Sequence, residues 1–380
     1  MAISVAGGVK PAQIIEVEQR LQKQLIVGKG KAVVMADDIS PELEDDANKL
    51  EIEREAIQAR LAKQNQAKAI YDAVSNQLLT SVNANIEHQL SSPEQVLQLS
   101  KLDEKQILLL ELLYSPQVDL VRIRPLVTAL PWLERDLVNM VNSPTFRHRR
   151  PKSSEVQVTD IKLVLNYIGI ENLQSLVPYY CLRHLMPAGQ PQMLWLTRKI
   201  WRYSMVSSIA AQALAELHEK DRAFIYSCSL MSQLGVTCVI NQCAKTFDDM
   251  WGAWLREASA SRDKELYDAV MATEFPANDV YQLVLSHSRS LNWQLLSLLK
   301  FDNSRLTQTY KAIDTKIKYA ELDEDSALIE RANCYAKVYL LKEAKNITAA
   351  ECRLMFDYYQ ISEQEQIRLS GQNYSKLVLF

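Results

Sequence analysis
Apolar positions recur at helical spacing almost throughout the chain, and strand-like alternation is scarce. A short helix is expected over residues 11–22, since Pro11 is acceptable in a first helical turn. Two β-prone runs then flank Gly28-Lys29-Gly30-Lys31, so a small hairpin is expected near residues 24–35. The turn lacks the spacing of a phosphate-binding loop and the Ser or Thr after its lysine. Ser40-Pro41-Glu42 has the chemistry of a helix start: a capping serine, a proline and an acid near the positive end of the dipole. Leu43, Ala47, Leu50, Ile57 and Leu61 then form one narrow stripe. Ile70, Val74, Leu78, Val82 and Ile86 continue a stripe in the next stretch. Amphipathic helices are therefore expected over 40–90, as a helical hairpin or a coiled-coil seam. The pattern leaves two uses open: packing on the main body, or an arm for homodimerisation or partner docking.

Ser91-Ser92-Pro93-Glu94 repeats the helix-start chemistry and marks a first boundary. The chain is denser in apolar residues from there to about residue 310, with a soft break at Asn303-Ser304. The expected organisation is an N-terminal helical extension over 1–97, a helical core over 98–310 and a C-terminal helical extension over 311–380. The apolar end, Lys376 to Phe380, is expected to dock rather than dangle.

Composition changes this picture little. Apolar residues make up 48% and charged residues 23% of 380, ordinary globular values that allow a sizeable core. A net charge of −3 argues against general attraction to nucleic acid or anionic membrane. Six cysteines occur without a Cys-x-x-Cys pair, which reads as buried free thiols in a reducing compartment. Residues 1–10 lack the pattern of a signal peptide, so a soluble, cytoplasmic protein is expected. Ala223 to Ala244 is charge-free and approaches the length of a membrane span. Its serines, threonine, asparagine and glutamines would be costly in lipid, so a buried core helix is expected and no membrane span.

Three patches within about 98–310 resemble the HDOD family, the HD-related output domain of bacterial signalling proteins. The first is Leu137-Val-Asn-Met-Val-Asn-Ser-Pro-Thr-Phe146, which brings an apolar helix end into Asn142-Ser143. The second is Ile161 to Leu173, with Gly169 at a helix–helix step. The third is the pair Trp201-Arg-Tyr-Ser204 and Leu230-Met-Ser-Gln-Leu-Gly235, ordered like the two ligand-bearing helices of HD hydrolases. The resemblance implies an all-α, HD/HDOD-like helical bundle and a role in bacterial signal transduction.

HD hydrolases hold one or two metal ions with a His on one helix, a His-Asp pair on a second and a later Asp. The resemblance places Tyr203 at the first His and Ser232-Gln233 at the pair. A phenol at ordinary pKa, a hydroxyl and an amide are poor ligands for a divalent ion. His88, His148, His184, His218 and His287 are scattered without metal-ligand spacing. The expectation is no metal, no cofactor and no catalysis, with regulatory or scaffold action through signalling partners. Tyr203 falls on a helical face with Leu196, Ile200, Ser207, Ala210, Leu214 and Leu217. Its hydroxyl is expected to bond Ser232 or Gln233, beside the small residue Gly235.

The alternative is a binder of a small anionic ligand or nucleotide second messenger in the vestigial cleft. The basic stretch Arg147, His148, Arg149, Arg150 and Lys152 could serve such a ligand or an acidic partner, or be a solvated loop. A metal-dependent phosphohydrolase is a distant third. Asn142 and Ser143 are expected to bond backbone at a helix end. The six tryptophans are expected to pack the core rather than stack bases.

Overall fold
The amphipathic segment after Pro11 forms the expected helix and runs on to Ile26. Helix α1 spans Ala12–Ile26 and buries Ile14, Val17, Leu21, Leu25 and Ile26. Gln24 to Ile26, the first arm of the expected hairpin, is thus the end of a helix. The apolar run there serves α1's three- and four-residue stripe rather than a strand. The computed structural model describes residues 6–28, 51–147, 157–187, 193–316 and 318–375. The rest of the expected hairpin, the helix start at Ser40 and the terminal Lys376–Phe380 lie outside them.

Within the stretch expected to form a helical hairpin or a coiled-coil seam, residues 51–90 make one uninterrupted helix, α2, Glu51–Leu90, about 60 Å long at 1.5 Å per residue, so the hairpin alternative fails there. No Gly or Pro interrupts that sequence, so nothing stops the helix. Its second half buries Leu78, Val82, Ile86 and Leu90, one turn apart. Ile52, near its start, is 79% exposed.

The chain continues as α3 (Pro93–Leu99), α4 (Glu104–Leu113), α5 (Leu120–Thr128), α6 (Pro131–Asn142) and α7 (Pro144–Arg147). Then come α8 (Ile161–Ile168), α9 (Ile170–Leu185), α10 (Leu194–Leu217), α11 (Arg222–Met231) and α12 (Leu234–Ser261). Last are α13 (Lys264–Ala272), α14 (Ala277–Leu298), α15 (Arg305–Thr315), α16 (Glu324–Glu343), α17 (Ala349–Tyr358) and α18 (Glu363–Ser370). The described residues hold one isolated antiparallel bridge, Val9 with Lys318, and no strand. The architecture is all-α.

Helix α10 sits at the centre. It was expected to bury one face, yet nearly every residue from Tyr203 to Ala215 is buried. The cause is the C-terminal part of the chain. Helices α11 and α16 flank α10, while α1 and α18 also pack on it. One apolar core runs from Ile14 to Tyr374 and crosses the boundaries drawn near 97 and 310 without a break. Gly7 ties the chain's start to its end: its N–H donates to the Tyr358 carbonyl and its carbonyl accepts from Ala320 N–H, both at 3.1 Å.

Arg222–Ser261 is the one described stretch long and apolar enough to cross a membrane, and 83% of its apolar window is buried. The charge-free run was expected to be a single helix. It breaks at Ser232-Gln233, where α11 ends and α12 begins.

Candidate functional site
The two-residue break places Ser232 and Gln233 at the rim of a cavity, and Tyr203 reaches the same cavity from α10. The three positions that the resemblance singled out therefore meet in space. The cavity holds about 260 Å³. Its remaining walls come from α1, α14, α15 and α16, with Val236 of α12.

Asn292 on α14 holds the break in shape. Its Oδ1 accepts from Gly235 N–H at 2.7 Å, and its Nδ2 donates to the Ser232 carbonyl at 2.9 Å. Both backbone groups belong to helix ends, where intrahelical partners are missing. At Gly235 α12 runs tight against α14: a Cβ there would lie 1.9 Å from the Ser288 carbonyl oxygen.

The expected bond from Tyr203 to Ser232 or Gln233 is not made. Ser232 Oγ donates instead to the Ser229 carbonyl at 2.7 Å, and Gln233 Nε2 donates to Ser232 Oγ at 3.4 Å. A helix end leaves carbonyls unpaired, and the local bond satisfies one of them. Tyr203 is 4% exposed. Burial pushes its phenol up, and the Lys337 ammonium only partly opposes this, so it stays a neutral phenol. Among the described residues no hydrogen bond joins it to either expected partner. Tyr203→Phe should therefore change stability by less than about 0.5 kcal/mol in a urea melt. A loss above about 1 kcal/mol would show that the hydroxyl is engaged.

The sequence pattern did not reveal the charged groups. Glu18 of α1 lies against Lys337 of α16. Lys337 Nζ donates to Oε1 at 2.6 Å, Tyr359 OH donates to Oε1 at 2.7 Å, and Lys10 Nζ contacts Oε2 at 2.9 Å. Burial alone would raise the Glu18 carboxyl. The two ammonium groups reverse that and hold it far below the usual range. Burial likewise works to lower Lys337, and Glu18 reverses it. A signal was present: Glu18 falls in the buried stripe Ile14, Val17, Leu21, Leu25, where a charge needs a partner. Glu330, also on α16, is 8% exposed and accepts from Asn333 Nδ2 at 3.2 Å.

This donor set does not suit a divalent ion. Tyr203, Ser232 and Gln233 offer neutral oxygens and an amide. Glu18 is already held by two lysines, and an ammonium stands where a second cation would be repelled. Among the described residues no group of three or more His, Cys, Asp and Glu could hold a metal ion.

The other singled-out residues lie elsewhere. Asn142 clamps the far side of the 143–157 connection: Oδ1 accepts from Val158 N–H at 2.9 Å, and Nδ2 donates to the Val158 and Val138 carbonyls. Ser143 Oγ donates to the Met140 carbonyl at 2.7 Å. Gly169 joins α8 to α9 at φ 77°, ψ 159°, a conformation essentially reserved for glycine. Arg147 ends α7 and does not line the cavity, while His148, Arg149, Arg150 and Lys152 lie outside the described residues. The tryptophans pack: Trp132 stacks on His184 at 4.2 Å, Trp201 meets Tyr179 edge-on, and Trp251 and Trp293 each donate a hydrogen bond. Trp195 is the most exposed of the six, with Lys199 Nζ 4.6 Å over its ring. All six cysteines are free and buried.

The body is all-α, with paired helices around a cleft at Tyr203 and Ser232-Gln233. The HDOD domain family model matches residues 99–274, so the chain carries an HDOD domain, a signalling-related relative of the HD fold. No curated protein and no solved structure matches the chain. The match contains Tyr203, Ser232, Gln233 and Gly235. It stops short of α14 and α16 and begins after α1. The matched part thus supplies Tyr203, Ser232 and Gln233, and the rest of the chain supplies the charges facing them.

Proposed function
We propose that this chain is a non-catalytic regulatory protein of bacterial signal transduction, acting in the cytoplasm by binding other proteins. The observation that carries the reading is the content of the cleft. Three positions that would hold metal in an HD hydrolase carry a buried neutral phenol, a capping hydroxyl and an amide. Their neighbour is a lysine ammonium already neutralised by a carboxylate of the same chain. A site of this kind lacks the means to activate water or to neutralise a phosphoester. The family's signalling association then points to recognition as the output. The outer half of α2, exposed over most of residues 55–69, is the segment we assign to partner contact.

Affinity capture with the full-length chain from its native cell, repeated with the recovered protein as bait, tests this. The proposal expects one signalling protein retained in both directions. Recovery no better than with an unrelated helical protein of equal charge would count against it. Removing residues 1–50 is not a usable control, because five apolar side chains of α1 belong to the core.

A further inference from the structure
The cavity presents two opposite charges that do not meet. Glu330 lines it from α16 and Arg289 from α14. Glu330 accepts from Asn333 Nδ2 at 3.2 Å and among the described residues has no cation within 4.0 Å, although the Arg289 guanidinium and the Lys337 ammonium both stand near enough to act on it across the cavity. Arg289 donates to the Ile313 carbonyl at 2.6 Å and keeps only a 3.9 Å contact with Asp314. A guanidinium carries five N–H donors, so most of its capacity is unspent. A buried carboxylate whose cations stand beyond contact distance still gains from a cation placed directly against it.

Size and sign narrow the occupant. A volume of about 260 Å³ lies just below the usual ~300–1,000 Å³ range of ligand pockets. The volume suits a small ligand better than one of dinucleotide size. A simple anion would face the Glu18 and Glu330 carboxylates. A simple cation would face Lys10, Lys337 and Arg289. One molecule carrying both signs satisfies both walls.

We propose that the cavity beside Tyr203 binds a small zwitterion of amino-acid size, with its ammonium on Glu330 and its carboxylate on Arg289. The Tyr203 hydroxyl and the Gln233 amide are further polar groups of the lining that a polar side chain can use. Binding adds no chemistry: no bond is made or broken. It provides an input to a protein whose output is partner recognition, and it stands whether or not that output is correct.

The test is calorimetric titration of the full-length chain with the uncharged polar L-amino acids as probes. Matched half-ligands, the corresponding amines and carboxylic acids, are titrated alongside. At least one amino acid should bind saturably in the millimolar range or tighter, and each half-ligand should bind at least about tenfold more weakly, or ~1.4 kcal/mol. Glu330→Gln and Arg289→Gln should each weaken binding by a similar factor. Arg289 has a half-exposed side chain, so its variant is expected to fold even if Glu330→Gln does not. The inference is overturned if no probe binds at millimolar concentration. It is equally overturned if half-ligands bind as well as amino acids, or if Arg289→Gln binds like the parent.

Discussion

Gly235→Ala should destabilise the chain by about 3 kcal/mol or more, the upper end for an added methyl in a packed core. The new Cβ would fall 1.9 Å from the Ser288 carbonyl oxygen and 2.8 Å from its carbon. Both are backbone atoms, so no flexible side chain can swing aside. Relief requires α12 and α14 to separate, and these two helices share one of the largest contacts in the fold. Separation would also pull Asn292 off Gly235 N–H and the Ser232 carbonyl, loosening the cleft. Gly252 lies on the same helix, and a methyl there would meet only an arginine side-chain tip at 3.6 Å. Gly252→Ala should stabilise by about 0.5–1 kcal/mol through helix propensity. Urea melts of the two variants should therefore move in opposite directions. Equal shifts would contradict the close approach.

Breaking the ion pair under α1 is the second large effect. Lys337→Met leaves Glu18 buried with Lys10 and a tyrosine hydroxyl as partners, and should cost about 3–5 kcal/mol. Glu18→Leu should cost a similar amount by stranding Lys337. The double variant should recover most of the loss, because two apolar groups need no compensation. If the single losses simply add, the pair is not coupled. The same contact sets an acid dependence. Glu18 has a depressed carboxyl in the fold, so its contribution is fully present above the unfolded value of about 4.5 and is lost as pH falls below it. The parent should lose stability between pH 5 and roughly pH 2 more steeply than the double variant.

Much of the fold was legible because helix signals are local. The stripe after Pro11 and Ser92-Pro93 before α3 mark real helix starts, and the soft break expected at Asn303-Ser304 falls between α14 and α15. Boundaries inside apolar runs were not. Leu25 and Ile26 are equally good in a strand or at the end of a buried helical stripe, and the helix won through contacts with distant residues. The step from α11 to α12 carries no Gly or Pro at the break. It depends on Asn292, 57 residues from Gly235.

Tyr203, Ser232 and Gln233, the positions that the family resemblance singled out, share one cavity. Their bonding was not. Whether Tyr203 reaches Ser232 or Ser232 turns to its own helix end depends on a break that the charge-free run concealed. The charges facing them come from positions 18, 330 and 337, far along the chain from Tyr203 and outside the matched family region. Only a charge inside an apolar stripe, as at Glu18, pointed to them.

On the proposed non-catalytic reading, the cleft at Tyr203 and Ser232-Gln233 should stay empty when metal is offered. The direct measurement is metal content of the full-length chain after equilibration with Mn²⁺, Fe²⁺, Ni²⁺ or Zn²⁺ and desalting, followed by a phosphodiester hydrolysis assay on the same samples. The expected result is less than roughly one bound ion per ten chains and turnover equal to buffer, as the neutral donor set dictates. One stoichiometric ion, with hydrolysis that falls on Tyr203→Phe or Gln233→Ala, would contradict it.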